Sequence, residues 1–345
     1  MTKKKIVTFN PKAVTKHLVS VLGDRAQDVI IKRYGLGNSS DRLTLEAIGE
    51  KYGITRERVR QIENHSLAQI RKSKECEKEA VSFEELRSLI HEMGCLVAED
   101  ELLSHIAQDP ITQNHVHFML VVGDAFVKEK ENDDFKHRWC VDTDLSAKIE
   151  ESLMKVYDSL SDDELISEPD MIRAFLSHLT NVATELKSEE IAKRWLSVSK
   201  KVSKNPLGEW GKSFSTNVNA KGMRDYAYLV IRKHGSPIHF REVAKAIEKM
   251  FGKKAHVATT HNELIKDKRF VLVGRGLYAL AEWGYIKGVV KDVIKKILEK
   301  DGPLSKEKII EKVLKERYVK ENTILVNLQN SKIFTKTKDG KYALS

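Results

Sequence analysis

Four polar side chains in one short segment have the residue types and the spacing needed for contact with base edges: Arg56, Glu57, Arg60 and Gln61. In a helix, residues four positions apart lie in one row, so these side chains would form two adjacent rows. An arginine can donate two hydrogen bonds to guanine, and a glutamine can pair in the same way with adenine. The segment therefore predicts base contact, although a solvated helix face often carries similar charges.

A pair of predicted helices would position these side chains. The apolar residues of both helices recur at helical spacing and are Leu45, Ile48, Tyr52, Val59, Ile62 and Leu67. Gly53 favours the left-handed turn that ends the first helix, and the Thr55 hydroxyl can cap the second, which runs from Arg56 to Ile70. Two helices joined by a short glycine-containing turn, the second with an exposed polar face, predict a helix-turn-helix.

The segment from Thr44 to Lys72 resembles region 4 of the sigma-70 family, which reads the upstream promoter element in bacteria. The run Thr55–Glu63 (TRERVRQIE) is the most specific part, and Val29–Leu36 resembles the preceding helix of that family. The resemblance covers about a seventh of the chain. It implies that the four polar side chains read bases and that Thr55, Arg58 and Lys72 contact the DNA backbone.

Nothing in the chain resembles sigma region 2, the part that melts promoter DNA, so we do not expect a complete initiation factor. The resemblance implies two partners, double-stranded DNA and RNA polymerase. A sequence-specific transcription regulator or polymerase accessory factor is the first interpretation. The alternative is an interaction protein, because region 4-like modules also bind the polymerase flap and could modulate a sigma factor without reading DNA.

Charge is distributed in three blocks along the 345 residues. Residues 1–75 carry a net charge of +8, residues 76–190 carry −17, and residues 191–345 carry +19. Two basic blocks around an acidic one are expected of a protein whose ends bind DNA and whose middle contacts protein. Charge that merely keeps a helical surface solvated would look similar, so charge alone does not decide the function.

The basic C-terminal block contains two similar units, at residues 221–285 and 286–345. Each has three predicted helices followed by a hairpin whose last strand ends in Tyr-Ala-Leu, and the first two helices of each are joined at Gly-Ser-Pro or Gly-Pro. This pattern predicts tandem winged helices. The first unit resembles the HARE-HTH domain, a winged helix of the polymerase delta subunit, through His239–Ala244 and Arg269–Gly284.

The acidic middle is predicted to hold two further modules. Residues 76–145 read as three helices and a hairpin, and residues 146–215 as three helices followed by a less regular segment. With a helix-turn-helix at 1–75, the predicted fold class is mainly α, a series of helix-turn-helix and winged-helix modules with small β-hairpin wings. Acidic winged helices would repel DNA, so protein contact is the expected role of the middle.

Phosphate contacts are predicted in the C-terminal modules, around the third helix and the hairpin of each. The candidates share a positive charge and are Lys266, Lys268, Arg269, Arg275, Lys332, Lys336 and Lys338. Phosphate contacts would hold the duplex without reading its sequence.

Enzymatic chemistry is not expected. Pro169-Asp170 with Glu185 and Lys187 fits the loose outline of a metal-dependent nuclease and leaves a restriction-associated subunit as a remote alternative. Asp170 falls in a predicted helix, however, rather than at a strand end. His115 and His117 lack the spacing of two ligands on one helix face and are expected at the surface or the core edge. We predict no metal and no cofactor.

Three widely separated cysteines, with no Cys-x-x-Cys pair, are typical of a reducing cytoplasm. No run of about 18 apolar residues predicts a membrane span, and the apolar stretch after the basic start is too short for a signal peptide. We therefore expect a cytoplasmic, nucleoid-associated protein.

Overall fold

The computed structural model describes residues 7–180, 182–183 and 186–345. It divides into two compact units: the described residues of Met1–Asp162 and Ile166–Ser203 form the first, and Asp163–Leu165 and Lys204–Ser345 form the second. Both units contain helices and small antiparallel strand pairs. The predicted fold class, mainly α with small hairpins, is confirmed.

Four helices open the first unit: α1 (Pro11–Val19), α2 (Asp24–Tyr34), α3 (Leu45–Tyr52) and α4 (Arg56–Arg71). Asn10 caps α1, because its side-chain oxygen accepts the N–H of Lys12 at 3.0 Å. Gly35 ends α2 in the left-handed region, at φ 63°. Asn10 before Pro11 and Gly35 after Tyr34 are thus the sequence features that set these two boundaries.

A winged helix follows, and its elements are α5 (Lys74–Lys78), α6 (Ala80–Glu92), β1 (Leu96–Ala98), α7 (Glu99–Ile106), α8 (Pro110–Val122), β2 (Val127–Glu129) and β3 (Arg138–Cys140). The strands form one antiparallel sheet in the order β1-β3-β2. Trp139 of β3 lies between Val97 and Lys128 of its two neighbours. The predicted helices and hairpin are present, and β1 is an additional strand.

The rest of the first unit is helical. It contains α9 (Thr143–Ser159), α10 (Glu168–His178) and α11 (Glu189–Val198), and the chain then continues through β4 (Val202–Lys204) and β5 (Trp210–Lys212). Helix α11 packs on the start of β1, where the Trp195 indole N–H donates to the Gly94 carbonyl at 2.9 Å. The three predicted helices are present, and the segment that was expected to be less regular forms the two-stranded sheet of β4 and β5.

Two winged helices of the same design make up most of the second unit. The first contains α12 (Met223–His234), β6 (Ile238–His239), α13 (Phe240–Phe251), α14 (Val257–Lys266), β7 (Phe270–Leu272) and β8 (Leu277–Leu280). The second contains α15 (Val290–Asp301), α16 (Lys306–Glu316), α17 (Glu321–Leu328), β9 (Phe334–Lys336) and β10 (Tyr342–Leu344). Tyr278 lies opposite Ile238 in one module, and Tyr342 lies opposite Leu304 in the other. This equivalence supports the predicted repeat.

The last helix of the acidic winged helix, α8, is buried in a core shared with α1, α4 and α6. Fully buried members of this core include Leu18, Ile70, Leu86 and Phe118, with Trp139 of the sheet beside them. His115 and His117, which were expected at the surface or the core edge, are each only 6% exposed. Both belong to α8, which is covered on more than one side.

Candidate nucleic-acid interface

The turn between α3 and α4 has the geometry of a helix-turn-helix. Gly53 ends α3 at φ 61° and donates its N–H to the carbonyls of the last turn. Gly49 is required at the same place, since a Cβ there would lie 2.6 Å from the Ile54 carbonyl oxygen. Thr55 then caps α4, because its hydroxyl accepts the N–H of Arg58 at 3.2 Å. These local contacts set the direction in which α4 leaves the turn.

A small apolar core beneath the turn holds α4 in place. Val29, Ile48 and Val59 are fully buried at its centre. The partly buried side chains around them are Leu43, Leu45, Tyr52, Ile54 and Ile62. The apolar stripe predicted from the sequence is therefore confirmed, and with Val59 facing inward the polar face of α4 must point outward.

The four side chains predicted to read bases are all exposed on the first two turns of α4. Glu57 and Arg60 form an ion pair at 2.7 Å, with 58% and 53% of their side chains exposed. The Arg58 guanidinium donates to the Gln61 side-chain oxygen at 3.0 Å. The side chains thus pair at a spacing of three residues rather than in the predicted rows of four.

These pairs define the electrostatics of the face in the absence of DNA. The hydrogen bonds from Arg60 lower the pKa of the Glu57 carboxyl below its usual range. Both partners face solvent, where such a pair is weak and exchanges readily with other hydrogen-bond acceptors. The Arg60 guanidinium can therefore leave Glu57 for another hydrogen-bond acceptor at little cost.

The second half of α4 is anchored inward by contacts that the sequence did not reveal. The Glu63 carboxylate accepts the Tyr34 hydroxyl at 2.9 Å and the Arg33 Nε at 3.4 Å. Arg71 donates to the carbonyls of Val121 and Val122, at 2.6 and 3.0 Å, at the end of α8. No short-range pattern could identify these residues, because each partner lies about 30 or 50 positions away in the chain.

Helix α8 occupies the position of a recognition helix in its own winged helix but does not present a free face. Its Asn114 amide donates to the carbonyls of Gly35 and Ser40, at 3.1 and 2.9 Å, and accepts from Arg42 at 2.7 Å. His117 lies 3.2 Å from the Lys128 ammonium, and burial lowers the pKa of its imidazole to about 3. This helix clamps the loop before α3 and holds a neutral histidine.

The residues predicted to contact the DNA backbone near α4 differ in whether their side chains are exposed or already used within the protein. The Thr55 hydroxyl is used by the helix cap, whereas the Arg58 side chain and Lys72 are exposed. Lys72 is the residue that caps the C-terminal end of α4, and its N–H donates to the Ala68 carbonyl. Arg58 and Lys72 therefore lie at opposite ends of α4.

The C-terminal cations fall into two groups. The exposed ones are Lys266, Lys268, Arg275, Lys332, Lys336 and Lys338. Arg269 is different: its guanidinium lies 2.8 Å from the Asp225 carboxylate and 2.7 Å from that of Asp267, with the Tyr228 ring beneath it. These contacts link α12 to the residues just before β7, so Arg269 has a structural role in this module.

The nuclease outline is not assembled among the described residues. Asp170 lies in the first turn of α10, where it interacts with Ser167 and Arg173. Lys187 donates to the Leu179 carbonyl at 3.1 Å. Glu185 lies outside the described residues. Within the described part of the chain, no cluster of three or more His, Cys, Asp or Glu side chains is arranged to hold a metal ion.

Comparison with known proteins assigns one module. Residues 18–72 match the family model of sigma-70, region 4. The chain is similar to the RNA polymerase principal sigma factor HrdD of Streptomyces griseus, with 42% identity over 55 residues, 16% of each chain. It is also similar to the RNA polymerase sigma factor RpoS of Coxiella burnetii, with 45% identity over 65 residues, 19% of this chain and 18% of the relative. The chain thus covers less than a fifth of these relatives, and the resemblance concerns the helix-turn-helix.

Proposed function

We propose that this protein is a bacterial DNA-binding transcription factor that reads base sequence with the exposed N-terminal half of α4. The observation that carries the proposal is the contrast between α4 and α8. Both occupy the position of a recognition helix, but of the two only α4 presents an exposed polar face, formed by Arg56, Glu57, Arg60 and Gln61. The match of residues 18–72 to sigma-70 region 4 supports the same assignment.

The major groove offers partners for each of these side chains. Arginine pairs with guanine, glutamine with adenine, and glutamate with the amino group of cytosine. Arg58 and Lys72, near the two ends of α4, would contact phosphates and set its register. The protein would act in the cytoplasm, on the nucleoid, with RNA polymerase as its second partner.

Selection from a randomised duplex pool tests this proposal. The full-length chain should enrich one short motif, and the variants Arg60→Ala and Gln61→Ala should lose the preference at individual base pairs. Arg87→Ala is the matched control, because Arg87 forms the same type of exposed ion pair with Glu84, at 2.9 Å and with 52% and 62% of the side chains exposed. A pool without a motif, or the same motif in all variants, would contradict base reading by α4.

An interaction protein that binds RNA polymerase without reading DNA is the second candidate. One observation favours it: the Glu57–Arg60 and Arg58–Gln61 pairs already satisfy much of the polar face within the protein itself. In that case the selection experiment yields no motif, and the full-length chain still binds core polymerase. The selection experiment therefore distinguishes the two candidates, and a pull-down of core polymerase with the full-length chain tests the second one.

The C-terminal winged helices are proposed to add affinity through phosphates, and residues 221–285 are proposed to be a HARE-HTH domain. The exposed lysines in and just before the last hairpin are the simplest group to test, and they are Lys332, Lys336 and Lys338. Each neutralised phosphate releases condensed counterion, so affinity should fall steeply with salt.

Replacing these three lysines by glutamine in the full-length chain should flatten the plot of log K against log salt by about 2.7 in slope. The matched control is Lys291→Gln, Lys296→Gln and Lys300→Gln on α15, which removes the same charge from the same module. Binding to one duplex across a salt series measures both slopes. Equal flattening in the two triple variants would mean that only net charge matters.

A further inference from the structure

A surface groove lies between the two winged helices of the second unit. Its volume is 820 Å³. One wall is the end of β7 and the turn to β8, with Leu272 and Arg275, and the other is formed by Val289, Leu314 and residues 317–320. The hairpin of the first module therefore faces the second module.

The two walls are fixed to each other by specific contacts. The Tyr318 N–H donates to the Val273 carbonyl at 2.7 Å. Gly274 permits this approach, since a Cβ there would lie 2.9 Å from the Tyr318 carbonyl oxygen. Arg317 is 3% exposed, and its guanidinium donates to the Gly288 carbonyl at 3.0 Å. Backbone pairing and a buried arginine make the groove a built feature of the junction.

The groove exposes several large apolar side chains to solvent. Their exposed fractions are 50% for Leu272, 60% for Val289, 40% for Leu314 and 55% for Tyr318. Large apolar side chains gathered on one surface, with a polar rim, are typical of a site for protein interaction. An aromatic residue and an arginine are also the side chains most often found at the energetic centre of such sites.

The charge of the groove has one sign. Its lining includes Arg275, Arg317 and Lys320, and no aspartate or glutamate is among the described residues that form it. A ligand with negative charge would therefore be attracted, and a basic one repelled. Apolar side chains beside these cations favour a ligand that carries both acidic and apolar groups.

A duplex fits this combination less well than a peptide does. Phosphates could contact Arg275 and Lys320, but they would leave Leu272, Val289 and Leu314 against a polar, hydrated surface. An acidic peptide with apolar anchors covers the apolar side chains and pairs with the cations at the same time. The surroundings also assign Arg275 to this groove rather than to DNA.

We propose that the groove between the two C-terminal winged helices binds an acidic segment of a partner protein, anchored by apolar side chains. This site is separate from α4, and it gives the basic C-terminal block a protein partner in addition to DNA. The occupant is expected to be an amphipathic segment, since the groove presents apolar and basic side chains together.

The test uses the full-length chain and a labelled helical peptide of about 15 residues, with leucine on one face and glutamate elsewhere. A second peptide has lysine in place of every glutamate, and a labelled duplex reports DNA binding. The groove variant is Leu272→Glu with Leu314→Glu. The control is Val81→Glu with Phe214→Glu, which changes two apolar side chains that are 80% and 60% exposed and lie outside both the groove and the proposed DNA contacts.

The unmodified chain should bind the glutamate peptide in preference to the lysine peptide, as measured by fluorescence polarisation. The groove variant should weaken that binding by about tenfold or more, with the control variant within about twofold and DNA affinity unchanged in both. Absence of binding, equal binding of the two peptides, or equal loss in both variants would overturn the proposal. Loss of DNA affinity in the groove variant alone would overturn it in favour of a DNA contact.

Discussion

Phe118→Ala is expected to lower the free energy of unfolding of the first unit by about 3–5 kcal/mol, the range for removing a fully buried aromatic ring. Phe118 is 0% exposed and lies on α8. Its ring meets that of Tyr34 edge to face, with centroids 5.0 Å apart. Tyr34 in turn holds Glu63 of α4 through its hydroxyl. The cavity would therefore open directly beneath the helix-turn-helix.

Denaturant unfolding of the full-length chain measures the effect. Phe214→Ala is the matched control, because Phe214 is 60% exposed and its removal opens no cavity. DNA binding by the Phe118 variant should disappear at the denaturant concentration at which the first unit unfolds. Retention of a folded, DNA-binding helix-turn-helix after α8 has lost its structure would show that the two modules are independent.

Arg138→Ala is expected to cost a similar amount, about 3–5 kcal/mol, because it leaves two partly buried carboxylates without their counter-charge. The Arg138 side chain is 5% exposed and pairs with Glu129 at 2.7 Å and with Glu150. Burial, with the hydrogen bond to Glu129, raises the pKa of Glu150 to about 7. The two carboxyls already compete for one arginine in the unmodified protein.

The pH dependence follows from the direction of that shift. A carboxyl whose pKa is raised by folding stabilises the folded state at low pH, and this contribution is lost as the pH rises through about 7. The Arg138 variant should therefore be most unstable above pH 7, and adding Glu129→Gln and Glu150→Gln should restore most of the loss. Urea titrations at several pH values, with the exposed Arg173→Ala as control, measure this. A loss independent of pH would show that packing, not charge, is responsible.

Local signals in the sequence were enough to predict the α3–α4 motif. The Gly53 turn, the Thr55 cap and the apolar spacing around Val59 act within a few residues, so composition and spacing identify them. The repeat in the second unit could be predicted for a similar reason, because both modules contain the same types of turn residue at the same places. The pairing of Glu57 with Arg60 and of Arg58 with Gln61 could not be predicted, because it depends on side-chain rotamers that the spacing of residues does not specify.

Long-range packing could not be predicted. The burial of α8 depends on α1, and the His115 ring lies against Thr15, 100 positions earlier in the chain. Arg269, a predicted phosphate contact, also pairs with the Asp225 carboxylate, which lies 44 residues away in the chain. The sequence suggested a protein-contacting role for the acidic middle from charge repulsion alone. The burial of α8 is a second physical reason against DNA contact by this module, because the helix in the recognition position is covered by other helices.

The ratio of affinities for the preferred and a scrambled duplex tests most directly whether α4 reads base sequence. We predict that Arg60→Ala reduces the difference in binding free energy between the two duplexes by about 1–3 kcal/mol, because a two-pronged contact with one base is lost. Arg87→Ala should leave this difference, and therefore the ratio, unchanged. Both affinities should be measured for the full-length chain at one salt concentration. An equal loss on both duplexes, which leaves the ratio intact, would contradict base reading and leave α4 as a phosphate-binding or polymerase-binding helix.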